Sequence, residues 1–177
     1  MRIALTLVAA FALVACGERA AAPLPVLSTS AVPGLSSTTE PVALEDLLAD
    51  FGGTQGNSKG RIGGFVRGSE RVFQGESSRF DRVVSRTLEF EDADSARGYV
   101  DFYRSHLTAV YGTGTTARPL ESEGRSGYLV DAASCACHRA EPTLAAVVSR
   151  GSRVSYLEVN GGGAKVPAVV ALLRQAP

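Results

Sequence analysis

The apolar residues of this chain recur with two different periods, and the change of period marks its predicted helices and strands. A helical period covers residues 41–51, where leucines and a phenylalanine fall on one face. The longest helical pattern covers residues 92–112: Asp92 can cap its first turn, an apolar stripe follows, and Gly112 ends it. A last helix is predicted from about residue 165 to 173.

Strand-like segments lie between these helices. In one of them, Val84 and Leu88 share one parity while Ser85 and Thr87 share the other, as in a strand with one buried and one solvated face. The order of elements predicts a single α+β domain, with an antiparallel sheet of about five strands and two to three helices packed mainly on one face. The predicted strands are 60–74, 80–90, 126–132, and a hairpin of 144–149 with 153–159.

A short uncharged apolar run, Ile3 to Ala15, follows Arg2 near the start of the chain. Its length suits the apolar region of a signal peptide, about 7–15 residues, and falls short of the roughly 20 residues that span a bilayer. A buried N-terminal helix and an ordinary secretory signal are the alternatives.

The run closes with Leu13-Val14-Ala15-Cys16, which resembles the lipobox of bacterial lipoproteins. The resemblance implies a signal peptide over residues 1–15 and a diacylglycerol on the thiol of Cys16, usually with an N-linked acyl chain such as palmitate. Several acyl chains anchor a protein stably, whereas one binds only marginally.

The next segment, residues 16–40, is rich in Ala, Pro, Ser and Thr. Such a composition offers little apolar surface to offset the entropy of ordering, so it predicts a lipidated, flexible tether with a reach on the order of 25–30 Å. The remaining residues, 41–177, have the length of one extracytoplasmic domain.

Charge and motifs exclude several classes of function. The chain has 18 basic and 18 acidic residues, so no overall charge favours nucleic acid. Two histidines, His106 and His138, and a glycine-rich loop at 160–165 form no catalytic or phosphate-binding signature. A run of arginines predicts a solvated strand face, with an anionic-ligand site as the alternative: Arg61, Arg67, Arg71, Arg79, Arg82 and Arg86.

The second cysteine feature is Cys135-Ala136-Cys137-His138. Outside the cytoplasm, Cys135 and Cys137 are expected to form a local disulfide. Their Cα atoms would be about 6.6 Å apart in a strand, so the backbone must bend, and the small loop contributes only about 1.6 kcal/mol. Copper(I) binding by the two thiolates and a thiol-redox role are the alternatives.

Two segments of the body, Phe90 to Val110 and Val154 to Leu173, resemble extracytoplasmic lipoprotein and sensor domains of high-GC Gram-positive bacteria, including the external domains of PknH-type receptor kinases. Together with Cys16, the resemblance implies an envelope lipoprotein on the cell membrane or outer membrane, with a non-catalytic ligand-binding, sensing or adaptor domain outside the cytoplasm.

The expected partners are the membrane, through the lipid, and an envelope protein or small ligand. We expect no nucleic acid, cofactor, metal site or catalytic residue. The alternatives are a copper-binding or thiol-redox protein using Cys135 and Cys137, and an enzyme whose site is assembled only in three dimensions.

Overall fold

The computed structural model describes residues 22–51, 62–75, 79–132 and 142–177. A short 3-10 helix, Thr29–Ala31, precedes the regular elements. These elements are, in chain order, β1 (Ser36–Val42), α1 (Leu44–Asp50), β2 (Phe65–Gln74), β3 (Arg82–Phe90), α2 (Ala93–Ser105), α3 (Leu107–Tyr111), β4 (Thr116–Ser122), β5 (Arg125–Ala132), β6 (Thr143–Arg150), β7 (Arg153–Asn160) and α4 (Val166–Gln175).

The seven strands form one sheet in the order β1-β2-β3-β7-β6-β5-β4, and every neighbouring pair is antiparallel. The sheet therefore consists of two meanders, β1 to β3 and β4 to β7, joined by the pairing of β3 with β7. Val83 lies opposite Val159 at this junction. The helices α2 and α3 carry the chain from the first meander to the far edge of the second.

Each edge strand of the sheet contains a proline. Pro41 lies in β1 and Pro119 in β4, and the side chains of both strands are mostly exposed. Proline has no N–H group to donate to a further strand, and it is one of the residues that protect sheet edges from pairing with another chain.

The helices α1, α2 and α3 cover one side of the sheet, which we call the helix face. Asp92 caps α2 by accepting a hydrogen bond from the Ser95 N–H at 2.7 Å, as the sequence predicts. From α2, Tyr99 and Tyr103 pack against Val84 and Leu88 of β3 in one apolar cluster, which also includes Phe51 beside α1.

The opposite side of the sheet is covered by α4 and by residues 22–35, a segment that includes the 3-10 helix and that we call the strap. Val169 and Leu173 of α4 are fully buried on this strap face, in the same cluster as Phe73 of β2. Leu27 of the strap is also fully buried there, and Val32 is 2% exposed.

Side chains of β2 and β3 hold the strap through its backbone. The Leu24 N–H donates to Ser69 Oγ at 2.9 Å, and the Leu27 N–H donates to Ser85 Oγ at 3.1 Å. In the other direction, Thr87 Oγ1 donates to the Pro25 carbonyl at 2.7 Å. These contacts satisfy hydroxyl groups that would otherwise be buried without partners, and each contributes about 0.5–1.5 kcal/mol.

The strap corrects one interpretation of the sequence. The parity of Ser85 and Thr87 predicted a solvated face for β3, but these residues are 1% and 2% exposed beneath the strap. Residues 22–42, assigned from composition to a flexible tether and the start of the domain, lie against the sheet or form β1. Cys16 and the predicted signal peptide lie outside the described residues.

The predicted fold class is also wrong in its counts. The sheet has seven strands, not about five, and the described chain contains four α-helices, not two to three, with both faces of the sheet covered. The missed strands β1 and β4 are exposed edge strands, rich in Ser, Thr and Pro, so they lack apolar alternation. The predicted helix 92–112 is divided at His106 into α2 and α3.

We predict that replacing Leu27 with alanine lowers the free energy of unfolding by about 2–4 kcal/mol, because the substitution leaves a cavity under the strap. Chemical denaturation of the purified domain measures this change. Thr29→Ala, at an exposed position of the same segment, is the control and should change stability by less than about 0.5 kcal/mol. Equal, negligible effects would mean that the strap does not pack in solution.

Candidate functional site

The cysteine residues proposed from the sequence, Cys16, Cys135 and Cys137, lie outside the described residues, as does His138. His106 lies between α2 and α3, where its ring stacks on Phe102 with centroids 4.0 Å apart. Its Nδ1 atom is 2.8 Å from the Phe102 carbonyl oxygen. His106 therefore has a packing role at a helix junction.

The arginine run does not converge on one site. Arg67 and Arg71 lie on the strap face, where they donate to the carbonyls of Ala22 at 2.9 Å and Leu27 at 2.8 Å. Arg82 pairs with Glu158 at 2.9 Å. Each of these arginines has a partner within the protein, so the described part of the run does not form the anionic-ligand site considered from the sequence.

The glycine-rich loop between β7 and α4 likewise uses its amides within the protein. The Gly163 N–H donates to the Arg79 carbonyl at 2.7 Å, and the Ala164 N–H donates to Gly161 at 2.9 Å. A Cβ at Gly163 would lie 2.2 Å from the Arg79 carbonyl oxygen, so this close approach requires glycine. The loop therefore connects β7 to α4 and packs tightly against the segment that precedes β3.

The structure instead assembles a cluster of charged groups and phenols on the helix face. We call it the tyrosine-carboxylate cluster. Its members come from α1, β2, β3, α2, α3 and β7, so it joins the helices to the sheet. They are Asp50, Glu70, Arg82, Arg86, Tyr103, Tyr111, Tyr156 and Glu158.

Arg86 forms the first half of this cluster. Its Nη1 atom donates to Asp50 of α1 and its Nε atom donates to Glu70 of β2. The guanidinium also lies over the ring of Tyr156, 5.4 Å from its centroid. The Arg86 side chain is 17% exposed, and burial opposes its charge. The hydrogen bond and the negative charge of Asp50 outweigh burial and raise the pKa of Arg86 above its usual value.

In the second half of the cluster, Glu158 accepts hydrogen bonds from two phenols. Tyr156 Oη donates to Glu158 Oε2 at 2.6 Å, and Tyr111 Oη donates to the same oxygen at 3.2 Å. Tyr103 Oη is 2.7 Å from Tyr111 Oη. A phenol has one proton, so Tyr111 donates to the carboxylate and accepts from Tyr103. Arg82 completes this half by pairing with the other carboxylate oxygen.

Burial raises the pKa of four tyrosines on this face above the usual value of about 10, namely Tyr99, Tyr103, Tyr111 and Tyr156. Their phenols stay protonated at neutral pH, and those of Tyr111 and Tyr156 donate hydrogen bonds to Glu158. The cluster contains three carboxylates and two guanidinium groups that are paired with one another. This arrangement supports a structural role for the cluster, since its donors and acceptors satisfy each other.

A solvent-exposed groove lies at the other end of the helix face, between α2 and the β4–β5 hairpin. Its volume is about 210 Å³, below the range of roughly 300–1,000 Å³ typical of small-molecule pockets. The Arg104 guanidinium stacks over the Tyr128 ring at 5.0 Å, and Tyr128 Oη donates to Asp101 at 3.3 Å. The size of the groove suits one side chain or small group of a partner. Its lining includes Arg97, Asp101, Leu120, Glu121, Tyr128 and Ser149.

The sequence pattern does not predict the tyrosine-carboxylate cluster, although it contains one signal of it. Arg86 shares the parity of Val84 and Leu88, so a charge lies on the predicted buried face of β3. A charged residue at such a position is almost always paired. Its partner Asp50 lies 36 residues earlier, and pattern alone does not connect them.

The described residues contain neither a cluster of metal ligands nor a membrane-spanning helix. No group of three or more potential metal ligands occurs among them. No helix in the described chain is long and apolar enough to cross a membrane.

The architecture is that of a meandering antiparallel sheet with helices on one face and a helix and a strap on the other. The sequence matches no protein-family profile and no curated protein sequence. The backbone is similar to the extracellular domain of PknH from Mycobacterium tuberculosis, with a TM-score of 0.47 and 13% identity over 79% of this chain and 82% of that one. That domain is of the extracytoplasmic class that the sequence pattern resembles.

We predict that Arg86→Ala lowers the free energy of unfolding by about 2–4 kcal/mol, because it leaves two half-buried carboxylates without their counter-charge. Urea denaturation measures the change. Arg97→Ala is the matched control: the pair of Arg97 with Asp94 is exposed on α2, so its loss should cost less than about 0.5 kcal/mol. Similar losses for the two variants would contradict a special role for the buried pair.

We also predict that the buried tyrosines ionise at a higher pH than a solvent-exposed tyrosine does. The raised pKa values mean that the folded state binds the phenolic protons more tightly than the unfolded state. The contribution of these tyrosines to stability is fully present below about pH 10. It is lost as the pH rises through their folded-state pKa values. A spectrophotometric titration of phenolate should show most of the chain's 5 tyrosines ionising only together with unfolding. Ionisation of all five near pH 10 in the folded protein would contradict the burial.

Proposed function

We propose that this chain is a lipid-anchored cell-envelope lipoprotein whose domain faces outside the cytoplasm and serves as a non-catalytic ligand-binding, sensing or adaptor module. The observation that carries the proposal is the sequence Leu13-Val14-Ala15-Cys16 behind a short apolar run. The cysteine is at the position where lipoproteins are acylated, and two or more acyl chains would hold the protein on the membrane stably.

The arrangement of polar groups supports binding in preference to catalysis. The buried phenols have pKa values raised away from neutral pH, whereas acid–base catalysis works best with a group poised near the working pH. The solvent-exposed groove beside Tyr128 combines an aromatic ring with charges of both signs, which suits recognition of a side chain or small ligand. We infer that the groove is where the domain contacts its partner.

Copper binding or thiol-redox chemistry at Cys135-Ala136-Cys137 is the second candidate function. It rests on the spacing of two thiols that a soft metal ion or an oxidant would select. In the sequence, Cys135 and Cys137 come three and five residues after Ala132, the last residue of β5.

We predict that Cys16→Ser abolishes lipid attachment in the full-length chain expressed in a bacterium. The variant should lack the mass of the acyl groups and move from the detergent phase to the aqueous phase in a detergent phase-separation assay. Cys135→Ser is the matched control, since it removes a cysteine without touching the lipobox, and it should stay in the detergent phase.

A parent protein without added lipid mass would overturn the lipoprotein proposal. The same mass spectra, recorded before and after alkylation, decide the second candidate. Two cysteines protected from alkylation, with no metal in the native mass, would rule out copper binding and leave a disulfide.

A further inference from the structure

The strap fixes where the N-terminal part of the chain enters the domain. It begins at Ala22, whose carbonyl accepts a hydrogen bond from Arg67 Nη1 at 2.9 Å. Two residues on, the Leu24 N–H donates to Ser69 Oγ at 2.9 Å. Arg67 and Ser69 belong to the first half of β2, so the chain meets the domain at the N-terminal end of that strand.

From there the strap follows β2 to its other end. The Leu27 carbonyl accepts from Arg71 Nη1 at 2.8 Å, and β1 then begins at Ser36, opposite Gln74. The first residue of the strap and the last residue of β2 are therefore at opposite ends of the sheet. Val66 and Gln74 are eight residue steps apart, which is about 27 Å along a strand.

The chain between the proposed anchor and the strap is short. Cys16 and Ala22 are separated by six residue steps, which span at most about 22 Å in any conformation. Ala22 is level with Arg67, seven residue steps from Gln74, so an orientation with the Gln74 end at the membrane would place Ala22 about 24 Å from the surface, beyond the reach of these six steps. The anchor therefore permits only orientations that keep the N-terminal end of β2 near the membrane.

On the basis of the lipid anchor proposed above, we propose that the domain rests on the membrane with the N-terminal end of β2 facing the lipid headgroups. The contacting surface, which we call the anchor-end surface, is formed by Val66, Arg67 and the β6–β7 turn from Arg150 to Arg153. It holds the domain in one orientation, and the Gln74 end faces away from the membrane.

The chemistry of the anchor-end surface fits a phospholipid surface. Val66 is a large apolar side chain that remains 54% exposed. Arg67 and Arg153 lie at 2.6 Å and 3.5 Å from the same carboxylate, Glu89, so two guanidinium groups share one negative charge. Arg150 is exposed in the adjoining turn. Arginines near a membrane attract anionic headgroups by about 1 kcal/mol each. The exposed Glu91 and Asp92, which follow β3 at the same end of the sheet, oppose part of this attraction.

The absence of tryptophan from the whole chain makes the test direct. Val66→Trp and Gln74→Trp place a single fluorescent reporter at two exposed positions on the two ends of the same strand. The full-length lipidated proteins are reconstituted in vesicles of phosphatidylcholine and phosphatidylglycerol containing a headgroup-nitroxide lipid. The nitroxide quenches only fluorophores close to the bilayer surface. Matching denaturation midpoints for parent and variants establish that both reporters sit in the native fold.

We expect several-fold stronger quenching for Val66→Trp than for Gln74→Trp. Equal quenching, or stronger quenching of Gln74→Trp, in protein whose mass shows the lipid on Cys16 would overturn the orientation and leave the lipoprotein proposal intact. Protein without lipid on Cys16 would overturn both.

A second variant tests whether the short connection sets the orientation. A Gly/Ser insertion of about 20 residues between Ala21 and Ala22 adds a reach on the order of 25 Å, which exceeds the limit set by the native connection. The insertion should reduce the difference in quenching between the two reporters. An unchanged difference would show that the anchor-end surface holds the membrane by itself, and an increased difference would contradict the proposal.

Discussion

A sheet with apolar side chains on both faces has to be covered twice, and this requirement organises the whole domain. In β6, Thr143–Ser149 are all buried, so neither face of the central strands can meet water. The helices α1 to α3 cover one face. On the other face α4 covers only part, and the strap provides the cover over β2 and β3. The fourteen residues of the strap, half of them Ala, Val or Leu, thus belong to the fold because the sheet needs them.

The tyrosine-carboxylate cluster shows how the helix face accommodates charge. Arg86 is placed by β3 among apolar residues, and removing a charge from water is costly unless it is paired. Asp50 at the end of α1 and Glu70 of β2 provide the pairing, so the position of α1 is tied to the sheet by charge as well as by apolar contact. Buried polar networks of this kind favour one arrangement of helices over others that would leave a charge unpaired.

The periodicity of the sequence was enough to predict the central elements of the fold. It was not enough to predict the edge strands or the strap. The capping of α2 by Asp92 and the start of α4 follow from end signals and a buried helical stripe. The hairpin of β6 and β7 follows from two continuous apolar runs joined by a short turn. The strands β1 and β4 carry no such run. Ser85 and Thr87 looked solvated because their burial depends on the strap, 58 to 62 residues away in sequence. For the candidate site, the charge at Arg86 was visible in the sequence, but its partners were not.

The manner in which the strap is attached has a mechanical consequence. Its bonds to Arg67, Ser69 and Arg71 follow one another along β2, and the chain enters at one end of this row. Tension applied along the strap from Ala22 loads these bonds together, in shear, whereas a pull perpendicular to the sheet would break them one at a time. The strap thus resists a force directed along β2 more strongly than one that lifts its first residue from the sheet.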